Sequence, residues 1–194
     1  METHPVDLWT LLLTSPCPEH LSDDEFVRAN RFRFEGDRIR WTRARSWLRM
    51  LLSTYTGGEP KDLCFSYGNY GKPGLQPFTG IHFNLSHSGD WAMLAVTRSV
   101  PVGADIERMR TNVDMASLLT RLHETDLPNT LPELYQAWTR REAKSKAAGG
   151  ALMDQPADDI CAIDVIAPDG YAAAVALVGF EPAVTYRVTY CGNR

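Results

Sequence analysis

A chain of 194 residues with 44% hydrophobic and 23% charged residues has an ordinary globular composition, which excludes a disordered or low-complexity protein. The net charge of −4 argues against a general nucleic-acid binder, and no apolar run approaches the roughly 20 residues of a membrane span. Cys17, Cys64, Cys161 and Cys191 form no Cys-x-x-Cys pair, so neither a zinc ribbon nor a disulfide framework is indicated. With no secretory signal at the start, the expectation is a reduced, cytoplasmic protein.

In chain order, Asp7 to Leu13 is short and apolar, a first strand. Ser22-Asp-Asp-Glu25 is a capping box and opens a helix that ends near Arg28 and Arg31. A second helix follows Gly36, with Trp41, Ala44, Leu48, Leu51 and Leu52 at helical spacing, and Gly57-Gly58 ends it. Eight arginines (28, 31, 33, 38, 40, 43, 45 and 49) crowd this region against Glu35 and Asp37, a basic patch suited to an anionic ligand or an acidic partner, or else a solvated helix face. Arg45 borders the apolar stripe and can present its head to something held nearby, whereas Arg38 and Arg49 stand further round and read as exposed. Leu63 to Tyr67 is a strand, and Gly68 to Gly74 a tight turn that holds Lys72 on a stiff loop before Pro73.

Ile81 to Ser88 alternates apolar Ile81, Phe83 and Leu85 with His82, Asn84 and Ser86, a half-buried strand. Ser86, His87 and Ser88 at its end can donate to phosphate oxygens. A catalytic Ser86–His87 dyad is poorly placed, because adjacent strand residues face opposite ways. Trp91 to Thr97 is the next strand. Pro101 to Glu107 is another, on which Asp105 and Glu107 share one face; their repulsion is relieved by protonation or by a divalent cation, and an oxygen-only ligand set suits Mg²⁺. The plain alternative is a solvated edge carrying two unrelated acids. A helix over 112–122, with Asp114 as candidate cap, precedes a longer one from Leu131 to Ala148, in which Pro132 fits the first turn and Gly149 the stop. Trp138, Glu142 and Lys146 recur every four residues of that helix and share a face, where a simple solvated ion pair is the bland reading. Three strands end the chain, at 160–166, 171–178 and 184–190. The element order suggests an α+β fold of two similar lobes, divided as 1–98 and 99–194, although no sequence repeat proves it.

Gly71-Lys72-Pro73, the stretch Phe83 to Ser88, the stretch Val102 to Glu107, and the set Trp138, Thr139, Glu142, Ala143, Lys146 and Ala147 occur in the order and near the spacing found in 4′-phosphopantetheinyl transferases. The chain resembles the longer, two-lobed, Sfp-like type from about Asp24 to its last strand. The resemblance implies lobes related by a pseudo-two-fold axis, each a small, mostly antiparallel sheet packed with helices. The first lobe would bind coenzyme A phosphates and the second would carry the metal site. It implies transfer of 4′-phosphopantetheine from coenzyme A to a serine of an apo carrier protein, with release of 3′,5′-ADP. It further implies that Asp105, Glu107 and Glu142 bind Mg²⁺, and that Arg28, Lys72, Ser86 and His87 hold coenzyme A phosphates. Arg31 and Arg45 are placed there on helix pattern alone. Lys146 would stabilise or protonate the leaving phosphate, and Glu142 would be the general base.

Arg38, Arg40, Arg43 and Arg49 read as an outward surface for an acidic carrier; no nucleic acid or membrane is expected, and a monomer suffices. Three departures from the family stand out: Arg141 where lysine is usual, Gly149-Gly150-Ala151 after the long helix, and a short interval from Glu107 to Trp138. The rival readings are a coenzyme A- or carrier-binding module without turnover, and a Mg²⁺-dependent nuclease.

Overall fold

The computed structural model describes residues 1–68, 70–77, 79–98, 100–112, 128–149 and 159–188. In chain order these form β1 (Thr3–Leu12), α1 (Asp23–Ala29), α2 (Glu35–Thr56), β2 (Cys64–Tyr67), β3 (Pro73–Gln76), β4 (Ile81–Ser88), β5 (Trp91–Arg98), β6 (Val102–Arg108), α3 (Leu131–Ala148), β7 (Ile160–Asp164), β8 (Tyr171–Val178) and β9 (Glu181–Val188). The helix expected over 112–122, with Asp114, lies almost wholly outside the described residues. Among the described residues no helix is long and apolar enough to cross a membrane.

The strands make a four-stranded sheet in the order β4-β5-β1-β9, a three-stranded sheet β6-β8-β7 and the hairpin β2-β3. Alternation along β1 and β5 gives the larger sheet two apolar faces. One face, with Leu11, Leu94 and Val96, packs on Trp47, Leu48 and Leu52 of α2. The other, with Val6, Leu8, Met93 and Ala95, packs on Val102, Ala104, Ile106, Val175 and Leu177 of the smaller sheet. The far side of that smaller sheet presents Ala174 and Ala176 to Ala143 and Ala147 of α3. The layers are therefore helix, sheet, sheet and helix. The chain passes from the larger to the smaller sheet between Arg98 and Val102, but β9 then returns to pair in parallel with β1.

The capping box of α1 forms, with the Ser22 amide donating to Glu25 Oε2 at 3.2 Å. Helix α2 begins at Glu35, one residue ahead of Gly36, and ends in the left-handed Gly57 at φ 75°. Glu25 does more than cap. Its buried carboxylate accepts from Arg45 and, at 2.5 Å, from Arg49 Nε, and both guanidiniums lie about 5 Å over the Phe65 ring (4.9 and 5.1 Å). Burial raises the Glu25 pKa, but the two arginines outweigh it and leave the carboxyl below its ordinary range.

This corrects the sequence reading of Arg49, which is 2% exposed and takes no part in an outward surface. A helical wheel places Arg49 off the apolar stripe, but it cannot show that α1 delivers a carboxylate there. Glu25→Ala leaves two buried cations unpaired and is expected to lower stability by about 3–5 kcal/mol, read from urea unfolding.

Candidate active site

Strand β4 faces the edge of β6 with its polar residues, and three side chains bridge the two sheets where no backbone ladder does. Asn84 Oδ1 accepts from the Ala104 amide at 2.8 Å, Ser86 Oγ donates to Asp105 Oδ1 at 2.9 Å, and Ser88 Oγ donates to Glu107 Oε2 at 2.7 Å. Ser88 Oγ also accepts from the Arg108 amide at 3.1 Å. Both strands advance by two residues per side-chain repeat, so neighbouring serines meet neighbouring carboxylates in register.

Helix α3 covers the same face of β6. Thr130 and Glu133 close its capping box, Pro132 lies in its first turn, and Gly149 ends it at φ 70°. The helix sits close because β6 has Gly103 beneath it. A Cβ at Gly103 would overlap the Ala143 carbonyl oxygen and stand 2.5 Å from the Ala147 nitrogen. At that separation Lys146 Nζ donates to Asp105 Oδ1 at 2.5 Å and to Ser86 Oγ at 3.1 Å. Glu142, one turn earlier, is half-buried. Desolvation, reinforced by Asp105 and Glu107 and opposed by Lys146, pushes its pKa up to about 7. Burial, with Asp105 adding to it, also raises Glu107, against the opposing pull of the Ser88 hydrogen bond. Trp138, on the same helix, packs with Leu131, Leu134 and Ala137.

The basic residues divide. Arg28 and Arg31 line an open groove of about 740 Å³ with Asp24, Val27 and Phe32, and the Arg28 guanidinium lies 5.5 Å over Trp41. His87, at the end of β4, has its imidazole pKa lowered by desolvation and then by the Lys146 ammonium. Arg45 is turned inward, held by Glu25 and donating to Tyr67 Oη at 3.3 Å. Lys72 Nζ donates to the main-chain carbonyls of Lys146 (2.6 Å) and Val102 (2.9 Å). The structure thus gathers Asp105, Glu107, Glu142, Lys146 and Ser86 over β6. It sets Arg28 and Arg31 in a groove on α1, and it engages Arg45 and Lys72 elsewhere.

Comparison with known proteins points the same way. A family profile described as 4′-phosphopantetheinyl transferase, N-terminal, matches residues 14–99. The 4′-phosphopantetheinyl transferase HetI of Nostoc sp. is 34% identical over 90% of this chain and 88% of its own length. The chain belongs to the 4′-phosphopantetheinyl transferase family. A Bacillus subtilis 4′-phosphopantetheinyl transferase is 30% identical over 68% of the chain and 62% of its own length. The transferase AcpT of Salmonella typhi is 36% identical over 56% and 61%. The protein is a transferase of the class that moves phosphopantetheine from coenzyme A to carrier proteins.

Among the described residues of the transferase, no three His, Cys, Asp or Glu side chains stand close enough to grip an ion as they are. Lys146 lies on Asp105 Oδ1, while Asp105 Oδ2 is buried and accepts no hydrogen bond among the described residues. An orphaned carboxylate oxygen, beside two acids whose burial resists their ionisation, is a donor set that a hard divalent cation suits. The residues present therefore fit such an ion. Sequence reasoning gave Ser88 to phosphate oxygens and did not pair it with Glu107. The signal was available, since Ser88 continues the period-two face of Asn84 and Ser86. The role of Glu25 left no such trace, because its partners come from α2.

Proposed function

We propose that Asp105, Glu107 and Glu142 hold Mg²⁺ beside the pyrophosphate of coenzyme A, with Ser86, His87 and Lys146 on its phosphates and Arg28 and Arg31 on its more distant one. The observation that carries this reading is the convergence of three acids and one lysine over β6, with an unpartnered carboxylate oxygen among them. When bound, Mg²⁺ polarises a phosphoryl oxygen and offsets charge on the leaving group. The carrier serine hydroxyl forms a bond to the β-phosphorus as the bond to the bridging oxygen breaks, and 3′,5′-ADP leaves. Glu142, with its pKa near neutrality, is suited to take the serine proton directly or through water. Lys146 can turn from Asp105 to the departing phosphate and meet its charge as it develops.

An acidic apo carrier is the proposed partner, met by Arg38, Arg40 and Arg43, the last of which donates to Leu13 O at 2.8 Å. Of these, Arg38 already pairs with Glu35, and Arg40 with Asp37 and Asp90, so steering there is modest. Mass spectrometry of an apo carrier incubated with coenzyme A and Mg²⁺ tests the assignment. The carrier is expected to gain one phosphopantetheine, and Asp105→Ala or Glu142→Ala is expected to abolish the gain while the protein stays folded. Retained turnover in both variants removes the metal assignment.

Ser88 orients Glu107, which makes a distinct prediction. Ser88→Ala is expected to raise the Mg²⁺ concentration for half-maximal rate by about tenfold, with the rate at saturating Mg²⁺ nearly unchanged.

A further inference from the structure

We propose that Lys72 is a positioning residue, a clamp that holds the C-terminal end of α3 against the start of β6 and so sets where Lys146 stands over Asp105. This rests on the reading of Lys146 and Asp105 as members of the reacting site, and it gives Lys72 a different task from direct contact with a coenzyme A phosphate.

The ammonium is carried on the turn between β2 and β3. That turn is closed by the Gly68 amide on Lys72 O at 3.0 Å and by the Gly71 amide on Gly68 O at 2.9 Å, with Gly71 at φ 77° and Pro73 opening β3. The backbone of Lys72 is therefore fixed, and its side chain reaches a defined point. That point is the seam where α3 lies on Gly103. Lys146 O is among the last helix carbonyls, which lack a full intrahelical partner, and it also accepts from the Gly149 amide at a longer 3.3 Å. Val102 O, on the opposite side of the seam, belongs to the residue before Gly103. One ammonium donating to both ties helix to strand, and its positive charge suits the negative end of the α3 dipole.

Two of the three N–H groups of Lys72 are spent on main chain. Burial lowers its pKa to about 8, as expected of a lysine set among protein groups away from open solvent. The same Lys146 whose carbonyl Lys72 holds extends its own ammonium to Asp105 and Ser86. A shift of this last turn therefore moves the reacting groups directly.

The test is kinetic and calorimetric, on the full chain with coenzyme A, Mg²⁺ and an apo carrier. Lys72→Met keeps length and loses the donors; Lys72→Arg keeps donors and charge. The clamp predicts that kcat of Lys72→Met falls by about ten- to a hundredfold, while KM and the calorimetric Kd for coenzyme A stay within about twofold. Lys72→Arg is expected to recover most of kcat. A Kd for coenzyme A that rises tenfold or more in Lys72→Met with kcat kept overturns the proposal in favour of a phosphate ligand, and so does an unchanged kcat. If Lys72→Met does not fold, Lys72→Arg decides on its own: a large loss of coenzyme A affinity with kcat kept rejects the clamp. Asp105→Ala run alongside separates the two readings, since its survival as an active enzyme condemns the site assignment whatever Lys72 does.

Discussion

Gly103→Ala is expected to be among the most damaging single-methyl changes in this protein. The added carbon meets the Ala143 carbonyl oxygen and the Ala147 nitrogen, which are helix backbone and cannot rotate away. Relief requires α3 to move outward as a body, opening the alanine contacts with Ala174 and Ala176. Overpacking of this kind costs about 3 kcal/mol, which in a chain of this size lowers Tm by about 6–12 °C. The functional loss is expected to exceed the stability loss, because the same displacement lifts Glu142 and Lys146 off β6. A fall in kcat of about a hundredfold, measured well below the transition, is the expected result. Gly58→Ala is the control, since its new methyl meets nothing nearer than 3.7 Å, and it is expected to leave both quantities unchanged. Near-wild-type activity in Gly103→Ala contradicts the close seating of α3.

Glu142→Gln is expected to separate activity from stability. Loss of the general base and a charged ligand lowers turnover by about 10²- to 10⁴-fold. Stability should move the other way. In the protein kept free of divalent ions by a chelator, the Glu142 carboxyl titrates at about 7 against a model-peptide value of 4.5. Between those two pH values the folded protein holds a proton that the unfolded chain has released. Stability therefore falls as pH rises through this window and stays lowered above about 7. Glutamine has no such loss. Its variant is expected to melt several degrees above the wild type at pH 8, with the difference closing as pH approaches 4.5. A variant that melts below the wild type at pH 8 contradicts the crowding of the three acids.

Much of the site was legible one element at a time. Pro132 and Gly149 mark the ends of α3 because a missing N–H suits the first turn and a left-handed residue suits the stop. Asp105 and Glu107 share a face because strands repeat every two residues, and Glu142 and Lys146 because helices nearly repeat every four. The same reasoning misjudged Arg49 and left Arg45 presenting its head to a ligand, since it could not know that Glu25 would cross from α1 to claim both. It also kept the final strand with the second half of the chain, whereas β9 lies beside β1 in the larger sheet. The serine–carboxylate pairing of β4 and β6 was half visible: the face was readable, its partner was not.

What the sequence determined by itself is local: the extent of the long helix, the faces of the strands, and which acids and cations each face carries. Short-range periodicity and capping set these, and neither needs a distant neighbour. Only the tertiary structure decided which faces meet, that Gly103 lets α3 descend until Lys146 touches Asp105, and which arginines are buried and which stay at the surface. Those outcomes depend on contacts between residues dozens of positions apart, where close packing and the pairing of buried charge act across elements and leave no periodic mark in either one.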